Sequence, residues 1–149
     1  MSLGQSGDYQ LVELLGEGTF GKVYKGVNSS DGSMVVVKRQ LLDSDRKTDI
    51  QTEYDVLTVI NCRFLSLLCL KDIIYGSGYV DIITKYQPHT HDLFAPIPTL
   101  NFANILEILI NVTMAVRFLH KKGILHLDIK PENILIDDHN RTFLIDYGI

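Results

Sequence analysis

Tryptophan is absent from the 149 residues, and cysteine and proline are scarce, at two and four. Two cysteines, Cys62 and Cys69, cannot build the disulfide framework of a small secreted domain. One in a helical pattern and one in an apolar strand pattern, they read as small buried hydrophobes of a reducing compartment. An excess of charge is missing too: 14 Lys and Arg stand against 18 Asp and Glu, a net charge of −4. No basic field therefore points to nucleic acid or an anionic membrane as a partner. No apolar run approaches the ~18 residues of a membrane-spanning helix, and the richest, Ile105 to Ile110, contains Glu107. The first ten residues, MSLGQSGDYQ, lack the basic start and apolar stretch of a signal peptide, and position 2 is not glycine. Residues 1–8 are expected to be a flexible leader. What is present is an ordinary globular balance, 46% hydrophobic and 21% charged, which excludes a disordered chain. The expectation is an intracellular, cytoplasmic protein.

The first part of the chain carries strand patterns. Tyr9 to Leu15 is apolar-rich and stops at Gly16, and Lys22 to Val27 and Ser33 to Lys38 flank Asn28-Ser29-Ser30-Asp31-Gly32. Asp-Gly between β-branched runs signals a hairpin. From Ser44 to Ile60 the period becomes helical, with Ile50, Glu53, Tyr54, Leu57 and Ile60 on one face. Phe64 to Tyr75 and Tyr79 to Tyr86 read as strands around Gly76-Ser77-Gly78. Pro88, Pro96 and Pro98 then mark a connector. Beyond it Phe102 to Lys122 is the longest helical pattern, capped by Asn101, ended by Gly123, and striped by Leu106, Leu109, Ile110, Met114 and Val116. Short apolar runs, Ile134–Ile136 and Thr142–Ile145, enclose a turn at Asp137-Asp138-His139-Asn140.

Gly16-Glu17-Gly18-Thr19-Phe20-Gly21-Lys22-Val23 fits three phosphate-binding patterns. A dinucleotide-binding turn needs a helix directly after it, and Val23 to Val27 reads as a strand. A Walker A loop needs a Ser or Thr where Val23 stands. A glycine-rich hairpin over ATP phosphates needs strands on both sides, which this sequence has. A plain Gly-rich β-turn is the bland alternative. His89, His91 and Asp92 lie together but read as a polar connector, since no further ligand is near in sequence.

Further anchors follow in register. Lys38 ends the strand Val35-Val36-Val37-Lys38, and Glu53 lies on the apolar face of the next helix. A carboxylate on such a face is costly unless paired, and Lys38 is the ready partner. His126-Leu127-Asp128-Ile129-Lys130-Pro131-Glu132-Asn133 follows the long helix, and Asp146-Tyr147-Gly148 comes after the strand pair.

Taken in order, these motifs resemble those of a eukaryotic-type protein kinase catalytic domain of the serine/threonine branch, from about Tyr9 to the last residue. The resemblance implies an α+β fold: an antiparallel sheet with one helix over residues 9–87, and the first, mainly helical part of a second lobe over 88–149. It implies ATP and Mg²⁺ as cofactors and a protein with a serine or threonine hydroxyl as substrate. Asp128 would accept the hydroxyl proton, Lys130 would neutralise the γ-phosphate, and Lys38, held by Glu53, would bind the α- and β-phosphates. Asn133 and Asp146 would hold the metal. Gly16, Gly18 and Gly21 would leave room for the phosphates. Leu15, Val23, Val36 and Leu135 would enclose the base, with Thr84 as gatekeeper and the backbone of Lys85, Tyr86 and Gln87 facing adenine. His126 would be a buried structural histidine.

Three residues depart from the family pattern. Leu127 replaces an arginine that pairs with an activation-loop phosphate, Tyr147 replaces a phenylalanine, and Val36 stands where alanine is usual. In the family pattern an activation segment, an Ala-Pro-Glu stretch and further helices come after the position of Ile149. The corresponding expectation is a truncated lobe with an exposed stripe around Leu109, Val112 and Val116. Such a chain would bind nucleotide, transfer phosphate poorly, and associate with itself or a partner protein. A nucleotide- or partner-binding module is thus the alternative to an active kinase.

Overall fold

The structure is a computed structural model, and it describes residues 3–18, 21–42, 47–60, 66–94 and 96–147. Two compact units emerge, one made of Met1–Tyr54 and Leu70–Tyr86, the other of Asp55–Cys69 and Gln87–Ile149. The chain passes from the first unit to the second between Tyr86 and Gln87, one residue before the end of the expected first lobe at 87. The segment Asp55–Cys69 nevertheless goes with the second unit, because Leu144 N–H donates to the Ser66 carbonyl at 3.0 Å and Leu67 bridges to Leu144.

The first unit is an antiparallel sheet. Its strands are β1 (Gly4–Ser6), β2 (Tyr9–Gly18), β3 (Gly21–Asn28), β4 (Met34–Leu41), β5 (Leu70–Gly76) and β6 (Tyr79–Lys85), in the order β1-β2-β3-β4-β6-β5. The Asp31-Gly32 hairpin forms as the sequence predicts. Gly32 has φ +72°, and the Asp31 carboxylate accepts from Ser33 N–H. Tyr9, Leu11, Val35, Val37 and Ile83 form the core of one face, with Tyr24 and Ile74 packed on it. Each such side chain contributes about 1.5–3 kcal/mol when fully buried. Gly26 is needed there, since a Cβ would lie 3.1 Å from a Val35 methyl and 3.3 Å from the Gln10 carbonyl.

Helix α1 (Lys47–Ile60) buries Ile50, Glu53, Leu57 and Ile60, the face read from the period. Ser44, its expected start, lies outside the described residues. The second unit holds a three-stranded sheet of β7 (Thr90–Asp92), β8 (Ile134–Asp137) and β9 (Thr142–Leu144), with helix α2 (Phe102–Lys121) against β9. Asn101 caps α2 by accepting from Asn104 N–H at 2.9 Å. Gly123, at φ +75°, ends the helix with N–H groups of Gly123 and Ile124 returning to His120 and Leu119 carbonyls. In the β8–β9 turn the buried Asp137 carboxylate accepts from the N–H groups of His139 and Arg141 and from the Arg141 guanidinium. Burial opposes its charge, but these donors hold its carboxyl below the usual carboxylate range.

Several expectations need correction. The leader is partly a strand: β1 pairs with β2, and Ser6 is 2% exposed. Gly4 and Gly7, at φ +139° and +52°, permit the tight return that brings it there. The strand expected from Phe64 starts only at Leu70, with residues 61–65 outside the described part. Cys69 is not a free buried thiol; it is half-buried and disulfide-bonded. Cys62 lies outside the described residues. Part of the polar connector is a strand, β7. Helix α2 buries Ile108, Ala115 and Leu119, while of the expected exposed stripe Leu106, Leu109, Ile110 and Met114 are exposed and Val112 and Val116 only half-buried. The helix is apolar nearly all round, so periodicity alone does not choose the face. The small Ala115 does, by permitting close approach. By length and composition α2 is also long and apolar enough to cross a membrane, against the sequence expectation. Its packing on β9 and its internal Glu107 and Arg117 place it as a domain helix.

Candidate active site

In the first unit, strand register puts Val23 opposite Lys38 and Val36 opposite Thr84. With two-residue alternation along β4, these four residues and Gln40 share one face. Thr84 is buried, Val23 and Val36 half-buried. Leu15 sits in a bulge of β2 opposite β3 and is 44% exposed. Gly16 and Gly18 have no atom within 4 Å of where a Cβ would stand. Among the described residues nothing crowds the Cβ side of these two glycines, although their backbones pair with Val23 and Gly21 of β3. Gly21 is glycine for another reason: at φ +140° a Cβ would stand 2.0 Å from the Arg39 carbonyl. Thr19 and Phe20 lie outside the described residues. At the end of β6, Lys85 is exposed, and Tyr86 N–H donates to the Met34 carbonyl at 3.3 Å. The boundary between the units falls between Tyr86 and Gln87, inside the expected hinge.

Lys38 and Glu53 form the ion pair that the sequence requires. Lys38 Nζ lies 2.9 Å from Glu53 Oε1 and 3.0 Å from Oε2. Glu53 is buried, so its charge depends on these donors. A further donor was not foreseen: Gln40 Nε2 lies 2.9 Å from Glu53 Oε2. On the opposite face of β4, Arg39 grips the fully buried Asp81 by two hydrogen bonds, of 2.8 and 2.7 Å. Its guanidinium stacks on Tyr79 at 4.1 Å, and the bond to Asp81 raises its already high pKa.

In the second unit the backbone of residues 126–133 wraps around Asp128. Asn133 Nδ2 donates to the Asp128 carbonyl at 2.9 Å and to its Oδ2 at 2.8 Å, and Lys130 Nζ stands 3.0 Å from that Oδ2. His126 is buried. Its Nε2 faces the Ile145 carbonyl at 2.7 Å, and its Nδ1 accepts from Asp128 N–H at 3.3 Å. This is the structural histidine that the sequence implies. Leu127, between these fixed peptide groups, is held at φ +64° with its side chain 70% exposed. A left-handed L-residue costs roughly 1–2 kcal/mol, a strain the flanking hydrogen bonds impose. Leu135 is half-buried in β8. Tyr147 is buried in the family's phenylalanine position, and its hydroxyl is satisfied: it donates to the Leu144 carbonyl and accepts from Leu68 N–H at 3.3 Å.

Asn133 and Asp146 carry oxygen donors of the kind a hard cation takes. Both amide hydrogens of Asn133 are turned to Asp128, which directs its oxygen elsewhere. Asn133 carbonyl accepts from Ile145 N–H at 3.0 Å, which ties the backbone of Asn133 to the residue before Asp146. Asp146 has φ +60°, and Gly148 lies outside the described residues. Magnesium takes oxygen donors, commonly one or two from protein with the rest from phosphate and water.

The Asp128 carboxyl is held below the ordinary carboxylate range, first by the hydrogen bond from Lys130; burial opposes that bond, and the bond from Asn133 adds to it. Lys130 is raised by the same bond. A depressed carboxyl contributes stability above its unfolded pKa of about 4 and loses it as pH falls through the folded value. In a carbon-detected NMR titration Asp128 is therefore expected to titrate below the ordinary aspartate value, and Lys130→Ala to move it upward. An unmoved titration would show that Lys130 is not its partner in solution.

The protein kinase domain family matches residues 9–149. The chain is 32% identical over 145 residues to a probable cell division protein kinase of Encephalitozoon cuniculi, covering 95% of this chain and 46% of that protein. It is 30% identical over 144 residues to the CTD kinase subunit alpha of Schizosaccharomyces pombe, 95% of this chain and 24% of the relative. To the carbon catabolite-derepressing protein kinase of Saccharomyces cerevisiae it is 28% identical over 148 residues, 96% and 23% of the two chains. An antiparallel sheet carrying a Lys–Glu pair, with an Asp–Asn catalytic loop after a long helix, defines this class of fold. The chain belongs to the protein kinase family, and it spans less than half the length of these relatives.

Proposed function

We infer that the protein is a serine/threonine protein kinase that transfers the γ-phosphate of ATP to a protein hydroxyl. The observation that carries this reading is the half-exposed Asp128 carboxylate, held by Asn133 and Lys130 and kept ionised. Such a group can accept the hydroxyl proton as the oxygen attacks phosphorus. Lys130, beside it, can offset charge on the transferred phosphoryl group and supports the serine/threonine branch. Lys38, with Glu53 behind it, would bind the α- and β-phosphates. Leu15, Val23, Val36 and Leu135 would enclose the base, Thr84 would limit its pocket, and the backbone of Lys85 to Gln87 would face it. Magnesium, held by Asn133 and Asp146, would neutralise phosphate charge.

A second reading, a module that binds nucleotide or a partner protein with little transfer, is favoured by the exposed Leu106, Leu109, Ile110 and Met114 of α2. The name of the Schizosaccharomyces relative, a subunit, also supports a partner.

The nucleotide reading is tested by calorimetry. Mg²⁺-dependent ATP binding is expected, weakened at least about tenfold by Lys38→Ala or Asp146→Ala, since a charge-assisted contact contributes more than 1.4 kcal/mol. Melting curves check that Lys38→Ala, which leaves Glu53 unpaired, still folds. Equal affinity in the wild type and both folded variants would overturn the reading. A radiolabelled-phosphate assay separates the kinase from the binding module.

A further inference from the structure

We propose that Gln40 is a positioning residue that holds Glu53 in place for Lys38, an inference that rests on the nucleotide reading above. Lys38 and Gln40 are two apart on β4 and so face the same way, toward α1. The Glu53 carboxylate thus has two separate holders. Lys38 Nζ spans both its oxygens, and the Gln40 amide takes Oε2 at 2.9 Å. The amide can be oriented only one way, because its oxygen placed against a carboxylate would repel it.

Two features separate this contact from ordinary packing. Gln40 is 8% exposed, and its Oε1 is buried with no hydrogen-bond partner among the described residues. A buried orphan acceptor weakens a fold, so an apolar side chain of the same length would suit this position better if packing were its purpose. What the glutamine supplies is the Nε2 donor. The second feature is what the lysine must do. Two hydrogen bonds of the Lys38 ammonium run to Glu53. When phosphate oxygens draw on that ammonium, its hold on the carboxylate weakens. A neutral donor that does not touch phosphate keeps Glu53 fixed meanwhile, so Lys38 can share its charge without losing its support.

The test is a double-mutant cycle on Mg²⁺–ATP affinity with Gln40→Met, unbranched and of similar length, in the wild-type and Glu53→Met backgrounds. Gln40→Met is expected to weaken binding by roughly five- to tenfold with Glu53 present, and to have no effect without it. The same loss in both backgrounds, or no loss in the first, overturns the proposal. If the double variant does not fold, side-chain amide exchange decides. The Gln40 Nε2 protons should exchange slowly in the wild type and fast in Glu53→Met, and fast exchange in the wild type overturns the proposal. Wild-type protein that binds no ATP defeats the nucleotide reading instead, and the amide measurement then still judges the Gln40–Glu53 contact.

Discussion

Asp128→Asn is expected to lower phosphoryl transfer by about 10²- to 10⁴-fold, the usual contribution of a positioned general base, while leaving ATP affinity unchanged. Asparagine keeps the size of the side chain and can still accept from Asn133 Nδ2, so the loop from His126 to Asn133 should hold its shape. What it loses is the negative charge that takes up the hydroxyl proton and that pairs with Lys130 at 3.0 Å. The measurement is radiolabelled transfer to a peptide by the full chain, beside calorimetry on the same preparations. Transfer within a few-fold of wild type would remove Asp128 from the chemistry. Loss of ATP affinity in parallel would mean that the loop had collapsed rather than lost its base.

Arg39→Met is expected to destabilise the first unit by about 3–5 kcal/mol, the largest stability effect foreseen for a single substitution here. The reason is Asp81, which is fully buried and takes both of its salt-bridge hydrogen bonds from Arg39. Without the guanidinium an ionised carboxylate is left inside the sheet. Removing both charges, with Arg39→Met and Asp81→Leu together, should recover most of the loss, because the desolvation cost disappears along with the attraction. Arg39→Lys should fall between, since an ammonium cannot make the paired bonds or stack on Tyr79 in the same way. Denaturant midpoints measure all three. A single substitution no worse than the double would show that the pair contributes little.

The candidate site was legible along the chain because each part is a local pattern with its own chemical requirement. Three glycines between strands, a carboxylate on an apolar helix face, and Asp128 and Asn133 flanking Lys130 announce themselves within a few residues. The Lys38–Glu53 pair followed from burial alone, as a charge on the inward face of α1 must find its opposite. Caps and turns, at Asn101, Gly123 and Gly32, were readable for the same reason: backbone groups are satisfied by near neighbours.

The rest depended on which distant segments meet. Arg39 and Asp81 are 42 residues apart, and each taken singly looks like a surface charge. Ser66 and Leu68 join the second unit through hydrogen bonds to Leu144 and Tyr147, which no local pattern near them foretells. Helix α2 offers apolar residues on most sides, so β9 rather than the period selects Ile108, Ala115 and Leu119 for burial. Gln40 reads as a polar residue near a strand end until α1 brings Glu53 within 2.9 Å of its amide. Residue type and spacing along the chain thus determined the candidate site groups and the local turns, whose partners lie close by or are demanded by burial. The choice among chemically equivalent faces and distant partners was left to packing, because short-range hydrogen bonding and periodicity are the same whichever segment arrives.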